Sequence, residues 1–437
     1  MREMTIDADR LANRLEGALG SAVQRDPATL RAHAVDGLVP HIRCAPEDTS
    51  RLSAALRICG ESGAAVIPWG GGTAMHWGNP PTHADVVVSL EHLNRLIEHD
   101  DANLTATVQA GMCMAPLQDL LAARRQFLAI DPPDPRHSTI GGTVAANING
   151  PRRLAYGGVR DLVIGMKMVL ASGEPIKAGG KVVKNVAGYD MCKLFVGSLG
   201  TLGIITEVTF KMAPLPETFG TIVARGSLAQ AAQLIDALWA SALTPAAVTV
   251  VGGDVAATAG LEAAEASIAV WAEGFEEAVA RHVRDIQTMA GQLGLATEML
   301  DGDAHRRVWE TVRDFGADGA SPAVFRVSVP LAAVTGVLAV ALRVIGGSPL
   351  RYVAHAGTGT VWLALDDPGL VALWFPRLVA LAQEYHGHAV LVAAPPVVKQ
   401  TVDVWGPPPQ ALALMQELKR QFDPRGVLNP GRFIARI

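Results

Sequence analysis

The segment AAVIPWGGGTAM, residues 64–75, decides how the rest of the chain is read. Its opening apolar run, residues 64–67, has the length of a buried strand, and Pro68 stands where that strand is expected to end. Gly70, Gly71 and Gly72 follow, and then the hydroxyl of Thr73. Without a Cβ these glycines accept positive φ and let a backbone or a ligand come close. Successive N–H groups in such a loop converge on an anion, here a phosphate or pyrophosphate, with the Thr73 hydroxyl as one more donor. Two other phosphate loops fail on spacing. A Rossmann fingerprint needs glycine where Met75 stands, and the Gly-Lys-Ser/Thr of a Walker A loop occurs nowhere. Three glycines are also what an ordinary tight turn uses, so the weight falls on what comes next.

Two further glycine- and hydroxyl-rich segments follow: PPDPRHSTIGGTVAAN, residues 132–147, and GSLGTLGIITEVTFKMAP, residues 197–214. In this order the three segments resemble the FAD-binding domain of the vanillyl-alcohol oxidase superfamily, the p-cresol methylhydroxylase type. The resemblance implies FAD. Pro68, Trp69, Gly70, Gly71, Gly72 and Thr73 are then expected at the pyrophosphate. Asp134, Ser138, Thr139, Gly141, Gly142, Thr143 and Asn147 are expected along the middle of the cofactor, and Gly203, Ile204 and Ile205 at its adenine and isoalloxazine sides. The tail FDPRGVLNPGRF, residues 422–433, matches the usual family ending.

Bulk properties exclude several classes. A 437-residue chain with 49% hydrophobic and 18% charged residues has material for two or three domains. Its net charge of −5 and lack of a Lys/Arg block argue against nucleic acid. The first residues lack the apolar core of a secretory signal. The longest uncharged apolar stretch, residues 327–342, is interrupted by Pro330 and is shorter than the ~20 residues of a spanning helix. A cytoplasmic protein is expected, with peripheral attachment at the inner face of a membrane open through partners. Cys44, Cys59, Cys113 and Cys192 are scattered, which suits reduced buried thiols and offers no cluster or zinc site.

Strand and helix patterns alternate along the chain. Leu52, Ala55, Leu56 and Cys59 make one face of a helix that starts after Asp48 and ends at residues 60–63. Strands are expected at residues 86–89, 105–110, 162–171 and 204–211, and helices at 116–125, burying Leu117, Leu120 and Leu121, and near 189–196. After Pro214 and Pro216 the pattern reads strand 218–224, helix 228–242, strands 246–251 and 267–272, helix 276–293 and a strand near Thr297. Residues 323–393 repeat that βαββαβ order. The expected fold is therefore α/β (α+β): a two-lobed flavin domain over residues 1–216, a cap of two ferredoxin-like halves over 217–406, and a returning segment, 407–437, with a helix at 407–421.

The expected chemistry is incomplete. Oxidising a 2-hydroxy acid needs a base for the hydroxyl proton and a cation for the carboxylate, in a dry cavity beside the flavin. Related D-2-hydroxy-acid dehydrogenases resemble H-x-G-D-G-N-x-H and E-x-H-G cap motifs that also hold a divalent metal. This chain has HAGTGTVW at residues 355–362, so His355 is kept while Thr358, Thr360 and Trp362 replace the other ligands. E-x-H-G is formally present at Glu384, His386 and Gly387, but no metal is expected. HRRVWETVRDF, residues 305–315, suits a helix with Val308, Val312 and Phe315 inward; Arg313 is its candidate carboxylate clamp, and Trp309 either faces the flavin or packs. The candidate catalytic residues are thus Arg313, His355 and His386. His76 lies just after the glycines, yet Ala74 and Met75 intervene, and a non-covalent flavin is expected.

GPRRLAYGGVRD, residues 150–161, and KVVKNVAGYDMCKLFVGSLGTLG, residues 181–203, resemble one subgroup, the FAD-binding E subunits of bacterial glycolate oxidase. Adjacent Arg152 and Arg153 are otherwise most simply solvated loop charges. The resemblance implies an accessory flavin subunit beside a homologous catalytic flavin subunit and an iron–sulfur subunit. The alternatives are a self-sufficient FAD-dependent D-2-hydroxy-acid dehydrogenase and a non-catalytic structural subunit.

Overall fold

The structure is a computed structural model that describes residues 6–181, 189–317, 319, 321–345 and 350–437. Residues 182–188, part of the subgroup resemblance, lie outside the described residues. Two layers of sheet and helix form the flavin side. The first sheet contains β1 (Val23–Gln24), β2 (Ile42–Cys44), β3 (Val66–Trp69) and β4 (Val86–Ser89) in the order β1-β2-β4-β3, with β2, β4 and β3 parallel. The helix Thr49–Ser62 connects β2 to β3; Asp48 caps its N-terminus through the Arg51 N–H, and Gly63 ends it in the left-handed region. The strand expected to stop before Pro68 runs on through Trp69. Pro68 is tolerated because β3 is a sheet edge at that point: the C-terminal segment pairs with β3 only around Val66, through Val427 and Asn429.

The second lobe follows with β5 (Leu96–Asp100), β6 (Thr105–Gln109), β7 (Gln126–Phe127), β8 (Val163–Val169), β9 (Pro175–Gly179), β10 (Ile204–Lys211) and β11 (Ala213–Pro214). Five of these make an antiparallel sheet, β5-β6-β10-β8-β9. The helix expected at 116–125 is Met114–Ala122, and its Leu120 is exposed rather than buried. The piece expected near 189–196 shortens to Cys192–Phe195. One apolar core joins both lobes and takes in Val427 and Leu428 from the tail. The tail helix begins at Leu412, after the prolines at 407–409.

The cap is one eight-stranded antiparallel sheet. Its strands are β12 (Thr218–Gly226), β13 (Ala247–Gly252), β14 (Ala266–Gly274), β15 (Ala296–Leu300), β16 (Ala323–Ser328), β17 (Leu350–His355), β18 (Thr360–Leu365) and β19 (His388–Ala393). Their order, β15-β12-β14-β13-β17-β18-β16-β19, is two βαββαβ halves joined edge to edge by β13 and β17. Alternation splits the side chains between two faces. Phe325 and Val327 pack against the helices Val334–Val344 and Val371–Glu384, while Val324 and Val392 turn to the opposite face with Trp77 and the helix Gly302–Asp314.

A buried ionic seam ties the cap to the flavin side. Arg152 Nε donates to Asp131 Oδ2 at 3.0 Å, its Nη1 lies 3.8 Å from Glu273 on β14, and Tyr156 donates to the same Glu273 at 2.6 Å. The guanidinium also sits over the rings of Phe127 and Trp271. Arg152 is thus a structural cation and not a solvated loop charge; only Arg153 is exposed. Substituting Arg152→Met leaves two carboxylates buried without their cation, which should destabilise the chain by about 3–5 kcal/mol. Denaturant titration checks this, and a loss under about 1 kcal/mol would show that the seam does not matter to stability.

Candidate functional site

The glycine loop closes against the segment that starts the helix Ile140–Ala146. A Cβ on Gly71 would fall inside the His137 carbonyl oxygen, and one on Gly70 inside the Thr139 hydroxyl. Glycine is required here by contact, not merely by backbone freedom. Ser138 Oγ donates to the Pro133 carbonyl at 2.5 Å and lies 2.9 Å from Thr73 Oγ1. Since the Ser138 hydrogen is already used, Thr73 is the donor to Ser138, and its hydroxyl is not the spare donor expected from the sequence.

The backbone supplies what that hydroxyl does not. The N–H groups of Gly70, Gly71, Gly72, Thr73 and Ala74 carry no hydrogen bond to any described residue, while Met75 N–H donates to Gly72 and Trp77 N–H to Ala74. The N-terminus of the neighbouring helix is different: Ile140 N–H bonds Met112, Gly141 N–H bonds Ala110, and Gly142 N–H bonds Thr139 Oγ1. The free donors therefore come from the loop, a run of successive amides suited to an anion.

A cleft of about 740 Å³ runs along this loop. Pro68 to Thr73 form one wall, Thr139, Gly141 and Gly142 the next, and Gly203, Ile204 and Ile205 from the start of β10 the far side. Arg432, which the sequence reading did not single out, completes it. This side chain is 2% exposed; its Nη2 donates to the carbonyls of Met75 at 2.9 Å and Trp77 at 2.6 Å, while Nε and Nη1 have no partner. Burial pulls its pKa down to about 10. Five free amides and the Nε and Nη1 of this buried guanidinium, which find no partner among the described residues, fit the pyrophosphate of FAD.

Thr73 also lines a second cavity of about 880 Å³ between the flavin side and the cap. Ser138 and Asn147 face this chamber, as does His76. Asp134 lines neither cavity: its carboxylate meets His137 Nδ1 at 2.9 Å, and its N–H donates to Asp314. Thr143 is buried with an unpartnered hydroxyl and lines neither. From the cap come His355, Thr358, Thr360, Trp362 and Arg326.

His355 ends β17 directly opposite Thr249 on β13, at the joint between the two cap halves. Its Nδ1 is 3.0 Å from Thr249 Oγ1, Nε2 bonds no described residue, and burial pushes the imidazole pKa down to about 4. It is a neutral, oriented imidazole at physiological pH. Arg313 lines the chamber as well, but Asp314 holds its Nε at 2.8 Å and Nη2 at 2.7 Å. His386 is exposed in the turn before β19 and does not line the chamber; Trp309 is a packing residue whose Nε1 donates to Thr221. Among the described residues no group of three metal-ligating side chains converges. All four cysteines are free, with Cys113 only half-buried.

A cofactor cleft adjoining a chamber beneath a β-sheet cap suits a flavin-dependent oxidoreductase. The chain belongs to the FAD-linked oxidases: residues 40–179 match the FAD binding domain and residues 221–433 the FAD linked oxidases' C-terminal domain. It is 31% identical to the glycolate oxidase subunit GlcD of Bacillus subtilis, covering 91% of this chain and 90% of that one. It is 27% identical to the mitochondrial D-2-hydroxyglutarate dehydrogenase of Danio rerio, over 93% and 81%. The fold matches p-cresol methylhydroxylase with a TM-score of 0.77 at 17% identity, over 97% and 96% of the chains. FAD is the cofactor.

Two substitutions check the cleft. Gly71→Ala should expel flavin, because the new methyl displaces the His137 carbonyl; absorbance per chain after gel filtration reads this directly. Arg432→Gln should weaken FAD binding by about tenfold or more, as expected for a buried charge lost from a pyrophosphate; unchanged FAD affinity in both variants would remove the loop from the cofactor site.

Proposed function

We propose that this chain oxidises a 2-hydroxy acid with FAD as a flavin subunit of a glycolate oxidase type assembly. The observation that carries the reading is a chamber holding a buried neutral histidine that adjoins the cofactor cleft at Thr73, which lines both. When bound, FAD supplies the two-electron acceptor. Pro68 to Thr73, Thr139, Gly141, Gly142, Arg432 and Gly203 to Ile205 hold it without a covalent bond. His355 takes the hydroxyl proton at Nε2 while Thr249 fixes the ring through Nδ1. Burial keeps the imidazole uncharged and so able to accept a proton, while the same desolvation lowers its basicity. The scattered cysteines leave onward electron carriage to an iron–sulfur partner, and the subunit named in the Bacillus subtilis relative supports an assembly.

A second reading is favoured by Thr358, Thr360 and Trp362, which stand where the related dehydrogenases keep metal-binding side chains. In it the chain is the accessory, E-type flavin subunit, and a homologous subunit performs the oxidation.

Anaerobic addition of glycolate or D-lactate to the yellow chain separates the two readings. Bleaching supports the first; a flavin that stays oxidised supports the second. Acid precipitation should release the flavin, whereas retention on the polypeptide would place a covalent bond, with His76 the nearest candidate. In the first reading His355→Gln should slow reduction by about 10²–10⁴-fold. A free imidazole would titrate near 6.5, but His355 stays unprotonated until the pH nears about 4. The rate of flavin reduction should accordingly show no histidine limb between pH 8 and about 5. A limb near 6.5 that disappears in His355→Gln would contradict this burial.

A further inference from the structure

We propose that Arg326 is the carboxylate receptor of the chamber and that it selects 2-hydroxy monocarboxylates over dicarboxylates. The proposal rests on the reading of the chamber as a substrate site. Arg326 lies on β16, an internal strand of the cap sheet, and alternation puts it on the face shared with Val324, away from Phe325 and Val327, which pack against the cap helices. Its Cα partner across β18 is Trp362. The guanidinium carbon lies 4.9 Å from the Trp77 ring centroid and 5.9 Å from that of Trp362, so one indole from each side of the molecule flanks the cation.

What is unusual is the lack of a counter-ion. The Arg326 side chain makes no hydrogen bond or ion pair with any described residue, and its Nε is buried without a partner among them. The other chamber charges are matched or open to water. Arg313 is held by Asp314, Asp131 is held by Arg152, and Arg153 is exposed. One half-buried cation, with its Nε sealed from solvent, is left over. A planar guanidinium fork matches a carboxylate with paired hydrogen bonds, and in a water-poor cavity that pairing is strong. Around it the chamber offers apolar Val312, Phe315 and Val392, and Arg153, the cation whose field reaches Arg326, is exposed and already solvated. A dianion would have to draw Arg153 out of water to compensate its second charge.

The test uses the flavin-loaded chain and redox-inert probes. Pyruvate is the monocarboxylate, 2-oxoglutarate the dicarboxylate and lactamide the uncharged analogue of lactate. Binding is followed by calorimetry and by tryptophan fluorescence, since Trp77 and Trp362 flank the guanidinium. Pyruvate should bind at least about tenfold more tightly than 2-oxoglutarate or lactamide, the discrimination expected of one desolvated charge pair. Arg326→Gln should weaken pyruvate by about 30-fold or more while leaving lactamide unchanged, and Arg326→Lys should recover only part of the loss. Pyruvate binding to Arg326→Gln within about threefold of the parent, or 2-oxoglutarate binding as tightly as pyruvate, overturns the proposal. If Arg326→Gln loses flavin, Arg326→Lys decides on the same threshold. Because no turnover is involved, a chain that binds pyruvate through Arg326 but is not reduced by glycolate retains the receptor and loses the oxidase reading.

Discussion

The contact between Gly71 and the His137 carbonyl is the constraint on which the site depends. No side chain fits between the loop and the segment 137–139, so the two backbones touch, and the Thr73–Ser138 and Ser138–Pro133 hydrogen bonds lock in behind them. That closure does two things at once. It turns a run of loop amides away from internal partners, leaving them free for an anion. It also fixes the course of residues 74–77, so that His76 and Trp77 reach the chamber while Arg432 anchors to the carbonyls of Met75 and Trp77. The cofactor cleft and the chamber are in this sense consequences of one backbone contact.

The cap has to be placed as accurately as the loop, and buried charge does this. Besides the Arg152 cluster, Lys399 is fully buried, with Nζ 2.8 Å from Asp36 Oδ1 and donating to the His76 carbonyl at 2.9 Å. Asn79 donates to Asp403 at 3.0 Å and accepts from the Val404 N–H. Such pairs contribute little net stability, because desolvation offsets most of the Coulombic gain. Their geometry is nonetheless demanding: a sliding cap would leave Lys399 or Glu273 buried and unpaired. Apolar contacts between Trp77 and the cap face tolerate small slips, whereas these ion pairs do not, so the seam sets the chamber's shape.

Much of this was legible in the sequence. The βαββαβ repeat in the cap shows as period-two strands alternating with amphipathic helices, and the glycine loop as a composition no core strand would tolerate. The edge-to-edge joint between β13 and β17 is not a local property, and neither is anything that depends on it. His355 was visible as a surviving motif residue, but its pairing with Thr249 and its neutrality arise only when the two halves meet. Arg313 looked like the clamp because its helix pattern was clear; its neighbour Asp314 occupies it. Arg326 was not singled out from the sequence; the signal for it was a lone charge in an apolar strand, which an internal position in the cap sheet keeps away from any edge. Arg152 looked solvated because Asp131 and Glu273 are distant in sequence.

Arg432 and Arg326 pose the same physical problem in two adjoining cavities. One is buried and the other half-buried, neither pairs with a carboxylate among the described residues, and desolvation draws both pKa values down to about 10. Neither becomes neutral at physiological pH, since an arginine starts far above it. The desolvation cost therefore stays in the folded chain until an anion offsets it, which makes ligand binding and folding stability one linked equilibrium. In the proposed reading FAD would match the first arginine through its pyrophosphate and a monocarboxylate the second. In the proposed reading Arg326 would hold a carboxylate without a divalent metal, since a dication beside it would add repulsion to a site already short of negative charge.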